Sequence, residues 1–358
     1  MSTAMRIAIA GGGLLGRLSA WRLVLAGAEV TLFEAGSLAR PAGACWTAAG
    51  MISPLTELIH SPYEVYRMGL ESLQLWPRWI DVLERASGQP LHFRRNGSMV
   101  VAHQCDAAQL DQFQRDLQRT LGSAATKEMT PLDAAGVSAL EPDLQHFSRG
   151  VYLRNEADLD NRRLLGVLLD ELRRLGVGLV DETAVDCEPH AVVLHKGGER
   201  RTFDLVIDCR GMGAKAQARN LRGVRGEVMV VETSEVSFQR PVRLMHPRYK
   251  LYAVPKPDGT TVIGATEIES EDLSPISLRS TMELSSALYA LHPAFAESRI
   301  VETSVNLRPA TPDNLPFVRI VEGLVQANGL YRHGYLCGPA LVRRVAEAAG
   351  LVTEVTTE

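Results

Sequence analysis

The sequence has few cysteines, and its cysteines and histidines lack the spacings that bind metals. Its five cysteines are an odd number, lie far apart and include no C-x-x-C pair, and its nine histidines include no H-E-x-x-H spacing. These absences argue against a disulfide framework and against a structural zinc site. We therefore expect free thiols and no metal centre.

Long apolar runs and an excess of positive charge are also missing. No stretch approaches eighteen apolar residues, and the amino-terminal apolar run is interrupted by glycines, unlike a secretory signal. The formal net charge is −4, which provides no basic surface for a polyanion. The sequence thus predicts a cytoplasmic protein with no integral membrane segment and no nucleic-acid partner.

The chain is long enough to form more than one hydrophobic core. The 358 residues exceed what a single hydrophobic core usually serves, and 46% are hydrophobic and 22% charged, as in an ordinary soluble enzyme. The sequence contains no internal repeat. Two domains with room for a buried cofactor are expected.

A dinucleotide-binding motif opens the chain. Residues 6–10 form a short apolar strand that leads into the G-x-G-x-x-G turn of Gly11, Gly13 and Gly16, and Glu34 ends a second apolar strand. The helix predicted over residues 14–26 points its free amides at a pyrophosphate, and the Glu34 carboxylate suits a ribose hydroxyl. The motif alone does not choose between NAD and FAD.

A second complete nicotinamide-binding motif is absent, and this absence bears on the choice. Residues 208–214 repeat a strand that ends in glycines, but they do not form a full fingerprint. A flavoenzyme reduced by NAD(P)H ordinarily carries two such motifs. The reductant is therefore expected to be the substrate itself.

The remaining pattern predicts an α/β fold with a Rossmann-like domain and a second, smaller domain of mixed or antiparallel sheet. Beyond Gly226 the texture changes to strands, predicted over residues 227–232, 250–254, 260–265 and 299–306. Thr130-Pro131-Leu132-Asp133 predicts a helix start, and a final helix is predicted over about 340–349.

Taken together, these pieces resemble the glycine oxidase and D-amino-acid oxidase family of FAD proteins, over nearly the whole chain. They are most similar to the glycine oxidases of thiamine biosynthesis. The resemblance implies non-covalent FAD, since Cys337 is not at the position used by the sarcosine oxidase branch. It also implies a discontinuous FAD-binding domain (1–90, 150–225 and 310–358) and a substrate domain (91–149 and 226–309).

Three segments carry the cofactor side of the resemblance: the opening turn, the small-residue loop Cys45-Trp46-Thr47-Ala48-Ala49-Gly50-Met51, and the turn Cys209-Arg210-Gly211. A fourth, Gly329 to Gly334, resembles a carboxyl-terminal turn that touches flavin and substrate. The cofactor-binding residues implied are Gly11, Gly13, Leu14, Leu15, Gly16, Glu34, Ala35, Cys45, Thr47, Ala48, Ala49, Gly50, Met51, Cys209, Arg210, Gly211, Arg308, Tyr331, Arg332, His333, Gly334 and Tyr335.

The substrate side of the resemblance lies in three segments: residues 249–256 resemble the family's tyrosine strand, residues 306–313 resemble its arginine segment, and the third is the same carboxyl-terminal turn. Arg308 would clamp the substrate carboxylate, because a planar guanidinium can donate two parallel hydrogen bonds. Tyr252 would add a neutral donor to that carboxylate, and Arg332 would help to hold the substrate or the charge of the reduced flavin. Met51, Tyr249 and His333 complete the expected substrate pocket.

The sequence also departs from the family pattern at four positions. Cys45 stands where the family usually has serine, Leu330 where it has histidine, His333 where it has asparagine, and Arg210 replaces a small residue. These changes concern the substrate more than the cofactor, because FAD binding depends on backbone and glycine positions that are kept.

The resemblance implies an FAD-dependent oxidase that deaminates glycine or a similar small amino acid or amine through an imine, with O2 as acceptor and H2O2 as product. A D-amino-acid dehydrogenase that uses a quinone or carrier, a non-catalytic flavin-binding maturation partner and a plain NAD-dependent dehydrogenase remain alternatives. Self-association into a homo-oligomer is expected from related enzymes.

Overall fold

The computed structural model describes residues 4–218, 220–247 and 250–351. Its strands are β1 (Arg6–Ala10), β2 (Glu29–Phe33), β3 (Met51–Ile52), β4 (Ser98–Ala102), β5 (Met129–Asp133), β6 (Arg149–Leu153), β7 (Ala157–Asp158), β8 (Gly178–Val180), β9 (Val185–Glu188), β10 (Ala191–Leu194), β11 (Arg200–Thr202), β12 (Leu205–Asp208), β13 (Arg222–Glu232), β14 (Val242–Met245), β15 (Lys250–Pro255), β16 (Thr260–Gly264), β17 (Arg299–Ala310), β18 (Phe317–Val321) and β19 (Leu324–Asn328). Its helices are α1 (Leu14–Leu25), α2 (Ala44–Thr47), α3 (Pro54–Leu58), α4 (Tyr63–Ser87), α5 (Ala107–Leu121), α6 (Ala125–Glu128), α7 (Ala134–Leu140), α8 (Asn161–Arg174), α9 (Leu278–Leu291) and α10 (Gly334–Ala348).

A six-stranded sheet contains the amino-terminal strand. Its order is β18-β19-β12-β1-β2-β8, and every pair is parallel except β18 with β19. Apolar side chains bury β1 on both faces, as expected for a central parallel strand. The carboxyl ends of β1 and β12 are adjacent, which brings the turns at Gly11 and Cys209 together.

An eight-stranded sheet contains the later strands. Its order is β17-β13-β16-β15-β14-β4-β6-β5, and its pairs are antiparallel except β14 with β4. The long pair β13 and β17 runs for eleven residue pairs with one irregularity. The predicted fold class is confirmed: a parallel Rossmann-like sheet is combined with a second, mostly antiparallel sheet.

Helices α1, α4, α8 and α10 pack together beside the six-stranded sheet. The largest buried side chains there are aromatic, with Trp21 and Trp79 in an edge-to-face contact at 5.7 Å between ring centroids. A separate apolar cluster fills the space between the eight-stranded sheet and α9. None of the helices within the described residues has the length and apolar character needed to cross a membrane.

One predicted helix start is a strand in the structure. Thr130 to Asp133 is part of strand β5 and pairs with β6 at the edge of the larger sheet, so the predicted helix start is wrong. The helix begins after Asp133, whose side chain accepts a hydrogen bond from the Gly136 amide. An edge strand tolerates Pro131 because one side of its backbone needs no ladder hydrogen bond.

Candidate active site

One elongated cavity of about 720 Å³ extends from the dinucleotide turn to the face of the eight-stranded sheet. Gly11, Gly13 and Glu34 line one end, and Tyr252 and Arg308 line the other. Its size is within the range of pockets that bury a cofactor or a small ligand. A ligand that filled it would contact both sheets.

The three motif glycines have different roles at the first end. Gly11 has a φ of +102°, and a Cβ there would lie 2.6 Å from the Cys209 carbonyl oxygen. A Cβ on Gly16 would lie 1.8 Å from the Gly11 oxygen, so this glycine allows α1 to approach the turn. In the described part of the chain, a Cβ on Gly13 would meet the Cys45 sulfur at 3.5 Å and no other atom within 4 Å beyond its chain neighbours. Gly13 therefore leaves the room that a pyrophosphate requires.

The turn is held by one acid and one buried base. The Glu34 carboxylate accepts hydrogen bonds from the Gly12 amide (2.6 Å) and the Gly36 amide (2.9 Å) while also lining the cavity. Arg17, only 1% exposed, donates to the carbonyl oxygens of Gly12 (2.6 Å), Leu165 (2.5 Å) and Leu38. Burial lowers the pKa of the Arg17 guanidinium. The three hydrogen bonds of Arg17 connect the glycine turn to the carbonyl oxygens of Leu38 and Leu165 and so hold the turn in place.

The small-residue loop is fixed to the rest of the molecule by Lys256. The buried ammonium donates to the carbonyl oxygens of Ala49 (2.7 Å) and Leu159 (3.0 Å) and to Asn161 Oδ1 (3.3 Å). Burial lowers the pKa of Lys256 to about 8. The loop also accepts from the Tyr335 hydroxyl, through the Cys45 carbonyl at 2.9 Å. These bonds hold the loop against one wall of the cavity.

At the second end of the cavity, the side chains of Arg308 and Tyr252 pack against glycines of the eight-stranded sheet. The Arg308 guanidinium covers Gly226, where a Cβ would lie 2.6 Å from it, and the Tyr252 ring covers Gly264, where a Cβ would lie 2.4 Å from the hydroxyl oxygen. Among the residues that the structure describes, the acceptors of Arg308 are the backbone carbonyl oxygens of Thr266 at 3.0 Å and Arg225 at 3.4 Å. Within the described residues, Arg308 has no carboxylate partner. Burial raises the pKa of the Tyr252 hydroxyl, so this group is a neutral donor.

Arg332 is engaged by two acids. It donates to Glu57 at 2.8 Å and to Glu267 at 2.7 Å. Burial by itself raises the pKa of Glu57, but the charges of Arg332 and Arg243 outweigh it and, with His333 protonated at low pH, hold the pKa at about 2. The carboxyl-terminal turn is thereby fixed to α3.

His333 is buried beside this ion pair. Its Nδ1 lies 3.6 Å from a Glu57 oxygen, and its Nε2 lies 3.3 Å from the Ser61 hydroxyl. Burial lowers the pKa of His333 to about 4. The imidazole is therefore neutral at physiological pH.

Nearly all of the predicted site residues line this one cavity. Gly16 and Ala35 do not line it, and Tyr249 lies outside the described residues. Although Arg210 lines the cavity, its guanidinium is committed elsewhere, to the Asp208 carboxylate and the Val185 carbonyl oxygen. The cavity-lining members are Gly11, Gly13, Leu14, Leu15, Glu34, Cys45, Thr47, Ala48, Ala49, Gly50, Met51, Cys209, Arg210, Gly211, Tyr252, Arg308, Tyr331, Arg332, His333, Gly334 and Tyr335.

Sequence reasoning missed Glu57, Arg243, Arg17 and Lys256. Glu57 and Arg243 line the cavity, and the other two support its walls. Lys256 ends the segment that resembles the tyrosine strand but received no role there, and the other three belong to no motif. A weak signal exists only for Arg17 and Lys256, each a basic residue in or next to an apolar stretch that the fold buries.

The cavity meets the requirements of FAD. The open space at Gly13 and the Glu34 carboxylate suit the adenosine diphosphate portion, and the small-residue loop leaves a flat wall for the ring system. Residues 6–348 match the family model described as FAD dependent oxidoreductase, DAO. The chain belongs to this family.

The chain is also similar in sequence or structure to several known oxidases and oxidoreductases. The chain is 41% identical to a Rhizobium etli protein assigned as the thiamine biosynthesis oxidoreductase ThiO, over 98% of this chain and 97% of that one. It is 28% identical to the glycine oxidase of Pseudomonas aeruginosa, over 96% and 94% of the two chains. The crystal structure of glycine oxidase from Geobacillus kaustophilus superposes with a TM-score of 0.83 at 24% identity, over 98% and 96% of the chains.

The predicted cofactor and class of enzyme are confirmed: the chain is an FAD-dependent oxidoreductase of the amino-acid and amine oxidase class.

Proposed function

We propose that this enzyme oxidises glycine or another small amino acid to its imine, with FAD as the immediate acceptor and O2 as the final one. The observation that carries the proposal is the Arg308 guanidinium, which faces the cavity without a carboxylate partner among the described residues, beside the half-buried Tyr252. Arg308 is only half-buried, but a cation that faces a cavity without a carboxylate partner favours an anionic ligand, and the substrate carboxylate supplies it.

The protein's contribution is to bind and orient the substrate. Arg308 donates two parallel hydrogen bonds to the carboxylate, which fixes its rotation as well as its position, and Tyr252 donates a third. FAD held by the dinucleotide turn and the small-residue loop would supply the acceptor for the hydride of the Cα–H bond and the route of both electrons to O2, with H2O2 as the product. Water then hydrolyses the released imine to the oxo acid and ammonia.

The substrate amine must lose its proton before the hydride leaves, because only a free lone pair can form the C=N bond. A neutral His333 adds no positive charge near that amine. Glu57 and Glu267 already neutralise Arg332, which leaves Arg308 to meet the carboxylate. The charge arrangement therefore favours binding of the anionic amino acid.

Anaerobic bleaching of the flavin absorbance by a panel of amines tests the proposal. Glycine, sarcosine and small D-amino acids are expected to bleach the 450 nm band, and admitted O2 is expected to restore it with formation of H2O2. If no amine bleached the flavin, the oxidase assignment would be wrong. If bleaching occurred but only a dye or quinone restored the band, the enzyme would be a dehydrogenase.

We also propose that the imine feeds thiazole formation in thiamine biosynthesis. The support is the 41% identity to the Rhizobium etli protein over nearly the full length of both chains. Thiamine auxotrophy of a deletion strain, relieved by the intact gene and not by an Arg308→Met gene, is the expected result. Prototrophy of the deletion strain on minimal medium would contradict it.

A further inference from the structure

We propose that the pocket contains a second anion-binding position, formed by Arg243 and Ser53, and that it selects amino acids carrying a second carboxylate. The inference rests on the proposed function in one respect: the first carboxylate is taken to bind at Arg308 and Tyr252. It names the substrate class of that same pocket.

The guanidinium of Arg243 has few hydrogen-bond and ion-pair partners among the described residues. It is on β14, directly opposite Tyr252 on β15, and its Cζ is 5.9 Å from the centroid of the Tyr252 ring. Its nearest carboxylate oxygen belongs to Glu57, and that ion pair is long, at 3.9 Å. Its buried Nε has no hydrogen-bond partner within the described part of the chain. A buried N–H donor that lacks an acceptor is costly unless a ligand accepts from it.

Ser53, which also lines the cavity, has a second unmet polar group. The residue is 3% exposed and precedes the first turn of α3. Its hydroxyl does not cap an amide of that helix and has no other partner among the described residues. Its carbonyl oxygen accepts from the Glu57 amide at 3.2 Å, which places Ser53 one turn from the acid that faces Arg243. A guanidinium and a hydroxyl are both donors, and the acceptor that suits the pair is a carboxylate.

Glu57 does not itself satisfy Arg243. Its Oε2 accepts from Arg332 at 2.8 Å, which is 1.1 Å shorter than the distance from its Oε1 to Arg243. The Glu57 charge is therefore mainly compensated by Arg332. Arg243 retains the capacity to bind another anion.

The two proposed positions are far enough apart for two groups of one ligand. Arg308 is on β17 and Arg243 on β14, with β13, β16 and β15 between them. Four strand spacings correspond to about 19 Å between the backbones, and both arginine side chains shorten this gap. The strand of Tyr252 lies between the strands of the two arginines, and the charges of Arg308 and Arg243 both act on the Tyr252 hydroxyl, so we expect one ligand to reach both positions.

Binding of two non-oxidisable ethers to the FAD-loaded enzyme tests the inference. Diglycolate has two carboxylates, and methoxyacetate is the matched ligand with one. Perturbation of the flavin spectrum reports the Kd of each. We expect diglycolate to bind about tenfold or more tightly than methoxyacetate, since a charged hydrogen bond is lost with the second carboxylate.

Variants assign the preference to the proposed residues. Arg243→Met should reduce the ratio of the two Kd values to near one, Arg243→Lys should restore part of it, and Ser53→Ala should reduce it less. Arg308→Met should weaken both ligands. The matched control is Arg149→Met, because Arg149 is an arginine of the same sheet that bonds to Asp111 at the surface.

Equal Kd values in the wild-type enzyme would overturn the inference, as would an Arg243→Met variant that keeps the full preference for diglycolate. Neither outcome depends on turnover. Failure of every amine to reduce the flavin would instead count against the proposed function, so the two failures are distinguishable.

Discussion

At the scale of single residues, the site combines donors that the motifs indicate with charges that no motif indicates. Arg308 and Tyr252 could be named from their segments. The partner of Arg332 could not, because Glu57 lies 275 positions away in the chain. An ion pair of that separation exists only after the fold has brought α3 to the carboxyl-terminal turn.

Replacement of Arg308 by lysine tests the role of the planar guanidinium. Lysine keeps the charge but cannot donate two parallel hydrogen bonds, so we expect kcat/KM for glycine to fall about 10- to 100-fold. FAD content, read from the ratio of absorbance at 450 and 280 nm, should stay the same. Arg149→Lys is the control, and an unchanged kcat/KM in Arg308→Lys would contradict the assignment.

The buried His333 makes stability depend on pH in a defined window. Its pKa in the folded protein, about 4, is below its ordinary value of 6.5, so between these values the unfolded chain binds a proton that the folded chain does not. The free energy of unfolding should therefore fall as the pH decreases from 6.5 to 4.5, by about 2 kcal/mol from this residue.

Urea unfolding at pH 6.5 and 4.5 measures this effect in the wild type and in His333→Gln. Glutamine does not titrate, so the variant should lose about 2 kcal/mol less between the two pH values. The Glu57 pKa of about 2 confines its contribution to pH values below its ordinary 4.5. The same loss in both proteins would show that His333 is not the cause.

At the scale of elements, local sequence predicted those that carry their own signals. The dinucleotide turn and α1 depend on glycines and an apolar strand that are contiguous in the chain. Strand β5 was predicted as a helix start because its residues carry capping and proline signals, and pairing with β6 overrides them.

The last helix shows the same competition. It was predicted to begin near residue 340 but begins at Gly334, with Pro339 inside it. Pro339 has no N–H to donate to the Tyr335 carbonyl oxygen, and the Trp76 indole N–H of α4 donates there instead, at 2.9 Å. A side chain from another helix thus satisfies the carbonyl that the proline leaves free.

Two helical glycines offer a matched test of the dinucleotide turn. Gly16→Ala places a Cβ 1.8 Å from the Gly11 oxygen, whereas a Cβ at Gly166 of α8 meets nothing within 4 Å. We expect Gly16→Ala to lose FAD and to unfold more easily. Gly166→Ala should keep FAD and gain about 0.5 to 1 kcal/mol.

Fluorescence titration with FAD and thermal melts of the two variants check this pair. Retention of wild-type FAD affinity by Gly16→Ala would mean that α1 does not need its close approach to the turn.

At the scale of the whole molecule, one cavity joins two sheets that otherwise have separate cores. A cofactor that contacts both sheets stabilises the molecule as a unit. At free FAD of 100 times its Kd, the folded state gains about 2.7 kcal/mol.

Scanning calorimetry of the apoprotein with FAD and with ADP tests this coupling. FAD should raise the Tm of a single transition, and ADP, which reaches only the dinucleotide end, should raise it less at the same multiple of FAD's Kd. Equal shifts would mean that the flavin portion contributes no binding energy.

The sequence by itself determined the dinucleotide turn, the Rossmann-like sheet, the FAD-dependent class and the segments that carry Arg308 and Tyr252. These features depend on backbone conformations and residue patterns that are local in the chain. Only the tertiary structure decided that Glu57 compensates Arg332, that Arg243 keeps an unmet donor and that His333 is neutral. Charge compensation and burial depend on neighbours that are distant in sequence, and packing alone brings them together.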